Sequence, residues 1–237
     1  MRIHRHALAV FASLLVLGVV SPATADYVPG KDKRGWGDKY GRLALGYSQA
    51  HGTDGERSYI QQGVGLDIEA FGFFEQTHFG TLIGAELGLS VAARNLNVLN
   101  DASQPEGGHY SLFARAQAAI DFSFLHWDGS VPGRFVVGGG GGTDWDGERW
   151  FGKGRAYSML LGKFQWRPHR RLRMHLGYQF LPMTTGEASV QEHRFELAIA
   201  VKGTQAGVRH QRTSIVAAPS APLVHEQQTT LFLAVSF

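Results

Sequence analysis

From residue 40 onward, apolar and polar side chains alternate with a period of two, the signature of extended strands rather than helices. Residues 110–124 show it best. Tyr110, Leu112, Ala114, Ala116, Ala118, Ile120, Phe122 and Phe124 share one face, and Ser111, Phe113, Arg115, Gln117, Ala119, Asp121 and Ser123 the other. Residues 81–91, 172–180 and 194–202 repeat the pattern, with Ile83, Ala85, Leu87, Leu89 and Val91 set against Gly84, Glu86, Gly88 and Ser90 in the first of them. The spacing predicts strands near 40–50, 59–72, 80–93, 109–124, 134–142, 155–166, 172–181, 192–202, 207–217 and 228–237. The ninth, GVRHQRTSIVA, alternates least.

Several of these runs are longer than the 5–6 residues usual in soluble sheets, and most reach the ~9–11 tilted residues that cross a bilayer. A soluble sandwich would bury the apolar face, whereas a transmembrane barrel turns it outward to lipid and keeps the polar, Gly-rich face inside. Tyr40, Phe71, Phe73, Phe124, Trp127, Phe164, Trp166 and Phe180 lie near strand ends, where interfacial aromatic girdles form. Ten is an even count, which puts both termini on the periplasmic side. The connections then divide into short ones near 75–78, 125–133, 167–171 and 203–206 and longer outer ones near 51–58, 94–108, 143–154, 182–191 and 218–227.

The N-terminus reads differently. Residues 1–6 are basic, 7–20 are apolar, Ser21-Pro22 breaks the run, and Ala23-Thr24-Ala25 is a small-residue cleavage site before Asp26. That is a secretory signal peptide over residues 1–25, and residues 26–38 read as a loose periplasmic lead-in to a barrel over 39–237. No apolar run after residue 20 reaches the ~18 residues of a membrane helix. The absence of Cys excludes disulfides, thiolate metal sites, a cysteine nucleophile and a lipoprotein anchor. The formal charge is +3, but Arg2 and Arg5 leave with the leader, so the mature chain is nearly neutral and nucleic acid is not an expected partner.

The last nine residues, TTLFLAVSF, place Leu231, Leu233, Val235 and Phe237 on one face and finish on an aromatic. Here the chain resembles the small outer-membrane β-barrel proteins of Gram-negative bacteria, of the OmpA/OmpX type in architecture, with no particular subfamily indicated. The resemblance implies an all-β fold, a transmembrane antiparallel up-and-down barrel of ten strands with eight as the alternative, in the outer membrane. It implies that Leu233, Val235 and Phe237 form an assembly signal read by the barrel-assembly machinery. Outer-membrane lipid, lipopolysaccharide, periplasmic chaperones and other envelope proteins are the partners that go with it.

Several small barrels are enzymes, and a few stretches of this chain carry residue types that such chemistry uses. His109-Tyr110-Ser111 resembles the His-x-Ser of barrel lipid A deacylases, but His109 and Ser111 share the inward parity of Arg115, away from the acyl chains. Asp144 and Asp146 could belong to an omptin-like acidic rim, yet no Asp-x-His follows. The stretch Asp144-Trp145-Asp146-Gly147-Glu148 also holds too few ligands for a calcium loop. Gly138 to Gly142 lack the Gly-Lys-Ser/Thr continuation of a phosphate loop and read as a bulge or close strand approach. His169 lies in a basic turn, Arg167 to Arg171, that reads as solvated. No cofactor or metal site is expected. The expectation is a non-enzymatic barrel acting as a small channel, a surface-exposed protein or an envelope-complex component. The alternative is a barrel enzyme that modifies lipid A or cleaves peptides.

Inside such a barrel the charges should meet. Folding each hairpin about its expected connection brings Arg42 opposite Asp67, Asp67 opposite Glu86, and Glu86 opposite Arg115 or Gln117, a row that would plug the lumen. Lys163 and His175, paired about the turn at 167–171, with Arg194 and Glu196, would line the opposite wall.

Overall fold

The computed structural model describes residues 39–54, 57–76, 81–100, 105–125, 133–146, 154–169, 172–185, 188–201, 203–216 and 223–236. The signal-peptide and lead-in assignments, and Phe237, lie outside the described residues. Ten strands follow in chain order: β1 (Lys39–Asp54), β2 (Arg57–Gln76), β3 (Leu82–Leu99), β4 (Pro105–Leu125), β5 (Gly133–Asp146), β6 (Gly154–His169), β7 (Leu172–Thr185), β8 (Ala188–Val201), β9 (Thr204–Val216) and β10 (Leu223–Ser236). Each pairs antiparallel with the next, and β1 pairs with β10, so the sheet closes on itself. Closure leaves no unpaired edge, the condition for a β-structure in lipid. The weakly alternating ninth segment is a full strand in register with both β8 and β10.

The stagger follows from the register. Tyr110 of β4 faces Asn95, and the path continues through Gln62, Gln49, Thr229, His210, Phe195, Tyr178, Gly162 and Val137. It returns to β4 at Phe122, twelve residues from its start. With ten strands, that shear tilts them by about 40°, within the usual range for membrane barrels.

The two-residue period sorts the faces as the alternation requires. Leu87, Leu89 and Val91 of β3, Leu112 and Ile120 of β4, and Phe195, Leu197, Ile199 and Val201 of β8 are exposed on the outside. Arg42, Glu86, Arg115, Asp144, Lys163, Glu192 and Glu196 are buried inside. Part of the interior is apolar: Ala119, Tyr157, Met159, Leu161, Leu181 and Val190 form one cluster, and Ala44, Ala198, Phe232 and Ala234 another.

Three expectations need correction. Outer connections were expected to be the longer set, yet the strand bounds leave only 55–56 and 186–187 between β1 and β2 and between β7 and β8, as short as 170–171 at the other rim. Strand pairing simply continues through polar residues, Gln49 to Asp54 against Arg57 to Gln62, because the backbone gains its ladder bonds whatever the side chain. Phe71 was assigned to the lipid girdle. It instead points inward and packs with Val136 and Leu82, while Phe164 and Trp166 do face outward. Asp144, expected in the outer connection 143–154, lies within β5 and points into the lumen.

The run Gly138 to Gly142 explains how β4, β5 and β6 come so close. A Cβ on Gly140 would lie 2.0 Å from the Ala118 carbonyl oxygen, and one on Gly142 2.2 Å from that of Ala116. At the tight β8–β9 connection Gly203 has φ 88°, a left-handed conformation suited to glycine.

Candidate functional site: the charged lumen

Charged side chains of eight strands, all but β7 and β10, meet in the lumen as three groups, with His175 of β7 beside the first. In the first, Arg42 Nη1 donates to Glu196 Oε1 at 2.6 Å and Nη2 to Glu69 Oε1 at 2.6 Å. Arg209 donates to Asp67 Oδ2 at 2.8 Å and, through Nε and Nη2, to Glu196 Oε2 at 3.0 and 2.8 Å. Both guanidiniums lie over the Phe232 ring, 5.3 and 5.6 Å from its centroid, which helps hold two like charges near one another. His175 Nε2 lies 3.7 Å from Glu196 Oε1.

In the second group Arg115 grips Glu192 with both terminal nitrogens, at 2.8 and 2.9 Å, and donates to Asp144 Oδ2 at 3.1 Å. Arg155 donates to both oxygens of Asp144, at 2.9 and 2.8 Å. Arg194 reaches Glu192 at 3.1 Å. Paired, planar contacts of this kind are the strong form of charge-assisted hydrogen bond. The third group is Lys163 with Glu86, and Lys163 also lies 5.9 Å from the Phe71 ring centroid. Nearer the rim opposite the termini, Tyr59 donates to Glu226 at 3.0 Å and Arg94 stacks 4.0 Å from the Phe113 ring.

All four residues of the expected row, Arg42, Asp67, Glu86 and Arg115, carry ion pairs inside the barrel, but not with one another. Arg42 faces Glu69, not Asp67. Asp67 faces Ser90, not Glu86, and Glu86 faces Ala119, not Arg115. The slips are of two and four residues. Each is even, so every side chain keeps its face while its neighbour changes. The cause is the true hairpin tips, with irregularities in the ladder at Phe73/Glu75 and Asn97/Leu99. Likewise Lys163 faces Gly177, and His175 faces Gln165. Glu196 and Arg194 do not form a separate wall, since Glu196 joins Arg42 and Glu192 joins Arg115 across the lumen.

Sequence reasoning missed Glu69, Glu192, Arg209, Arg155 and the pairing role of Asp144. Their inward parity was the available signal. At the assembly-signal positions, Leu233 and Val235 are half-buried on the outward side of β10, opposite in parity to the buried Phe232 and Ala234. Of the His-x-Ser pair expected to point away from the acyl chains, Ser111 is buried on the lumen side and His109 is exposed near the N-terminal end of β4.

A closed barrel with an apolar exterior and a charged, ion-paired interior inverts the arrangement of a soluble domain. It is the architecture of the small outer-membrane β-barrel proteins, a class that resides in the outer membrane of Gram-negative bacteria. No family model and no curated protein matches the chain. Among solved structures it is similar to Neisserial surface protein A, at 10% identity over 86% of this chain and 100% of that one, with a TM-score of 0.38. It is also similar to the transport unit of the autotransporter AIDA-I from Escherichia coli, at 8% identity over 95% of this chain and 98% of that one, TM-score 0.39. An outer membrane channel from Pseudomonas putida F1 is similar at 10% identity, over 92% of this chain and 100% of that one, TM-score 0.39. The assignment to the class rests on this chain's own strand order and on its two faces.

Proposed function

We propose that this chain is a non-enzymatic outer-membrane barrel whose lumen is closed at rest, serving as an envelope component that acts through its surfaces rather than as an open pore. One observation carries this reading: besides the pairs between adjacent strands, several ion pairs join strands that are not neighbours. Arg115 of β4 grips Glu192 of β8, Lys163 of β6 meets Glu86 of β3, and Arg42 of β1 meets Glu196 of β8. Such pairs cross the lumen instead of lining its wall. Their side chains are at most a tenth exposed, and Arg115 lies 5.3 Å from the ring centroid of Tyr157, which belongs to the buried apolar cluster of Met159, Leu181 and Val190. The non-enzymatic part is supported by the engagement of Asp144 with two arginines, which leaves it a structural rather than a chemical partner.

The test is conductance of the purified barrel in planar bilayers. Wild type is expected to stay near baseline, and Arg115→Ala with Glu192→Ala to open measurable current by removing one cross-lumen tie. Large steady steps from wild type at neutral pH would overturn the closed-lumen reading. The non-enzymatic part is checked by mass spectra of lipid A from expressing cells, expected unchanged. An acyl-chain loss abolished by Ser111→Ala would overturn it.

A further inference from the structure

The outward face is not polar at the same level all round. On β4 it stays apolar up to the exposed Leu112 and Tyr110. On β8, β9, β10 and β1 it changes partway along each strand. Below lie Leu197, Val208, Leu231 and Leu45. Above, in register across the four strands, come His193, Arg212, Gln227 and His51. His210 lies two residues below Arg212 on the same face of β9, and His225 lies one row above Gln227. This is a polar sector built of imidazoles and amides around one guanidinium, not a general girdle.

Arg212 is exposed on this outer surface. Glu192, Glu196 and Glu226, the carboxylates of β8 and β10, are all buried on the lumen side, so among the described residues the guanidinium has no acidic neighbour on its own face of these strands. Three imidazoles around it are held in one way. Nδ1 of His193 shares a hydrogen bond with the Tyr178 hydroxyl at 2.9 Å, Nδ1 of His210 with Thr229 Oγ1 at 3.2 Å, and Nδ1 of His225 with Ser214 Oγ at 3.3 Å. With the hydroxyl donating to Nδ1, a neutral ring carries its proton on Nε2, its one remaining polar atom. His193 is further packed between Tyr178 and Phe180, with centroids 6.2 and 4.9 Å away. In that tautomer the sector offers an exposed guanidinium fork among oriented N–H donors, at the upper edge of the lipid-facing belt and on the half of the barrel away from the described ends of β1 and β10.

We propose that this sector binds the phosphate of a glycolipid headgroup in the outer leaflet, with Arg212 as the bidentate ligand and His193 and His210 as flanking donors. The inference rests on the outer-membrane reading above. Arg matches a phosphate through two parallel hydrogen bonds, and its aliphatic stem can lie along the apolar belt below while the head stays at headgroup level. Cross-strand neighbours ~4.5–5.5 Å apart at Cβ allow His193 and Arg212 to reach one phosphate. The charge is of the right sign, and the hydroxyl-anchored imidazoles reduce the ordering cost of binding.

The experiment uses the refolded full barrel, with correct folding of every variant checked by heat-modifiability on gels. Lipid A carrying its phosphates and the same lipid with its phosphates removed are titrated separately into protein in neutral detergent, and retained lipid is read by native mass spectrometry. Wild type is expected to retain phosphorylated lipid A and to release the dephosphorylated form. Arg212→Gln should weaken retention about tenfold or more, as the loss of a charge-assisted contact implies. His193→Gln and His210→Gln should weaken it less, and Arg212→Lys should restore part of it. Equal retention of both lipids, unchanged retention by folded Arg212→Gln, or displacement of the lipid by millimolar inorganic phosphate would overturn the proposal while leaving the barrel reading intact. A chain that never becomes heat-modifiable in lipid or detergent would overturn both.

Discussion

Lys163 and Glu86 offer the sharpest test of whether the lumen is dry and paired. Lys163 reaches from β6 to Glu86 on β3, with side chains 8% and 2% exposed. The register neighbours of Glu86 are Phe71 and Ala119, so no second cation lies beside it in the ladder. Lys163→Met keeps the length of the stem and removes the charge. A buried carboxylate left without its partner should destabilise the fold by about 3–5 kcal/mol, and Glu86→Gln should cost a comparable amount by stranding the ammonium. The double change Lys163→Met with Glu86→Met replaces the pair by apolar groups of similar size, which is often neutral or stabilising. The two single effects should therefore fail to add, with a coupling of about 2 kcal/mol or more. Unfolding by denaturant in lipid vesicles, followed by tryptophan fluorescence, measures all four corners of the cycle. In a water-filled lumen the charges would be solvated and each single change would cost less than about 1 kcal/mol. Single variants within that margin, with an additive double, would refute the dry network.

Gly140→Val should prevent the barrel from reaching its heat-modifiable form, because its Cβ would lie 2.0 Å from the Ala118 carbonyl oxygen, whereas Gly162→Ala, with nothing within 4 Å, should stay within about 1 kcal/mol of wild type in the same assay. Leu87→Arg, in the middle of the outward belt, should cost about 2–4 kcal/mol in vesicles, and Gln191→Arg, above the belt on β8, about 0–1 kcal/mol; equal costs would mean that the apolar belt does not set the membrane level.

The alternation of apolar and polar residues was enough to place nine of the ten strands, to turn Leu87 and Leu197 outward, and to turn Arg42, Glu86 and Arg115 inward. Parity depends only on the extended backbone, which turns successive side chains to opposite faces whatever they touch. Even β9, where alternation is poor, is required by the even count that closure demands. Register is a different matter. A slip of two residues preserves parity, so nothing local distinguishes Arg42 opposite Asp67 from Arg42 opposite Glu69. Only the hairpin tips and the ladder irregularities decide it, and with it the identity of every cross-strand neighbour. The pairs that matter most lie further still from the sequence. Arg115 finds Glu192 77 positions away, on a strand four places around the barrel, because closure and a twelve-residue shear bring β4 and β8 to face each other across the lumen. The same closure turned Phe71 from an expected lipid anchor into packing beneath Lys163 and beside Val136. Which side of each strand is inside is written locally; which charges meet there depends on a distance that exists only once the sheet has closed.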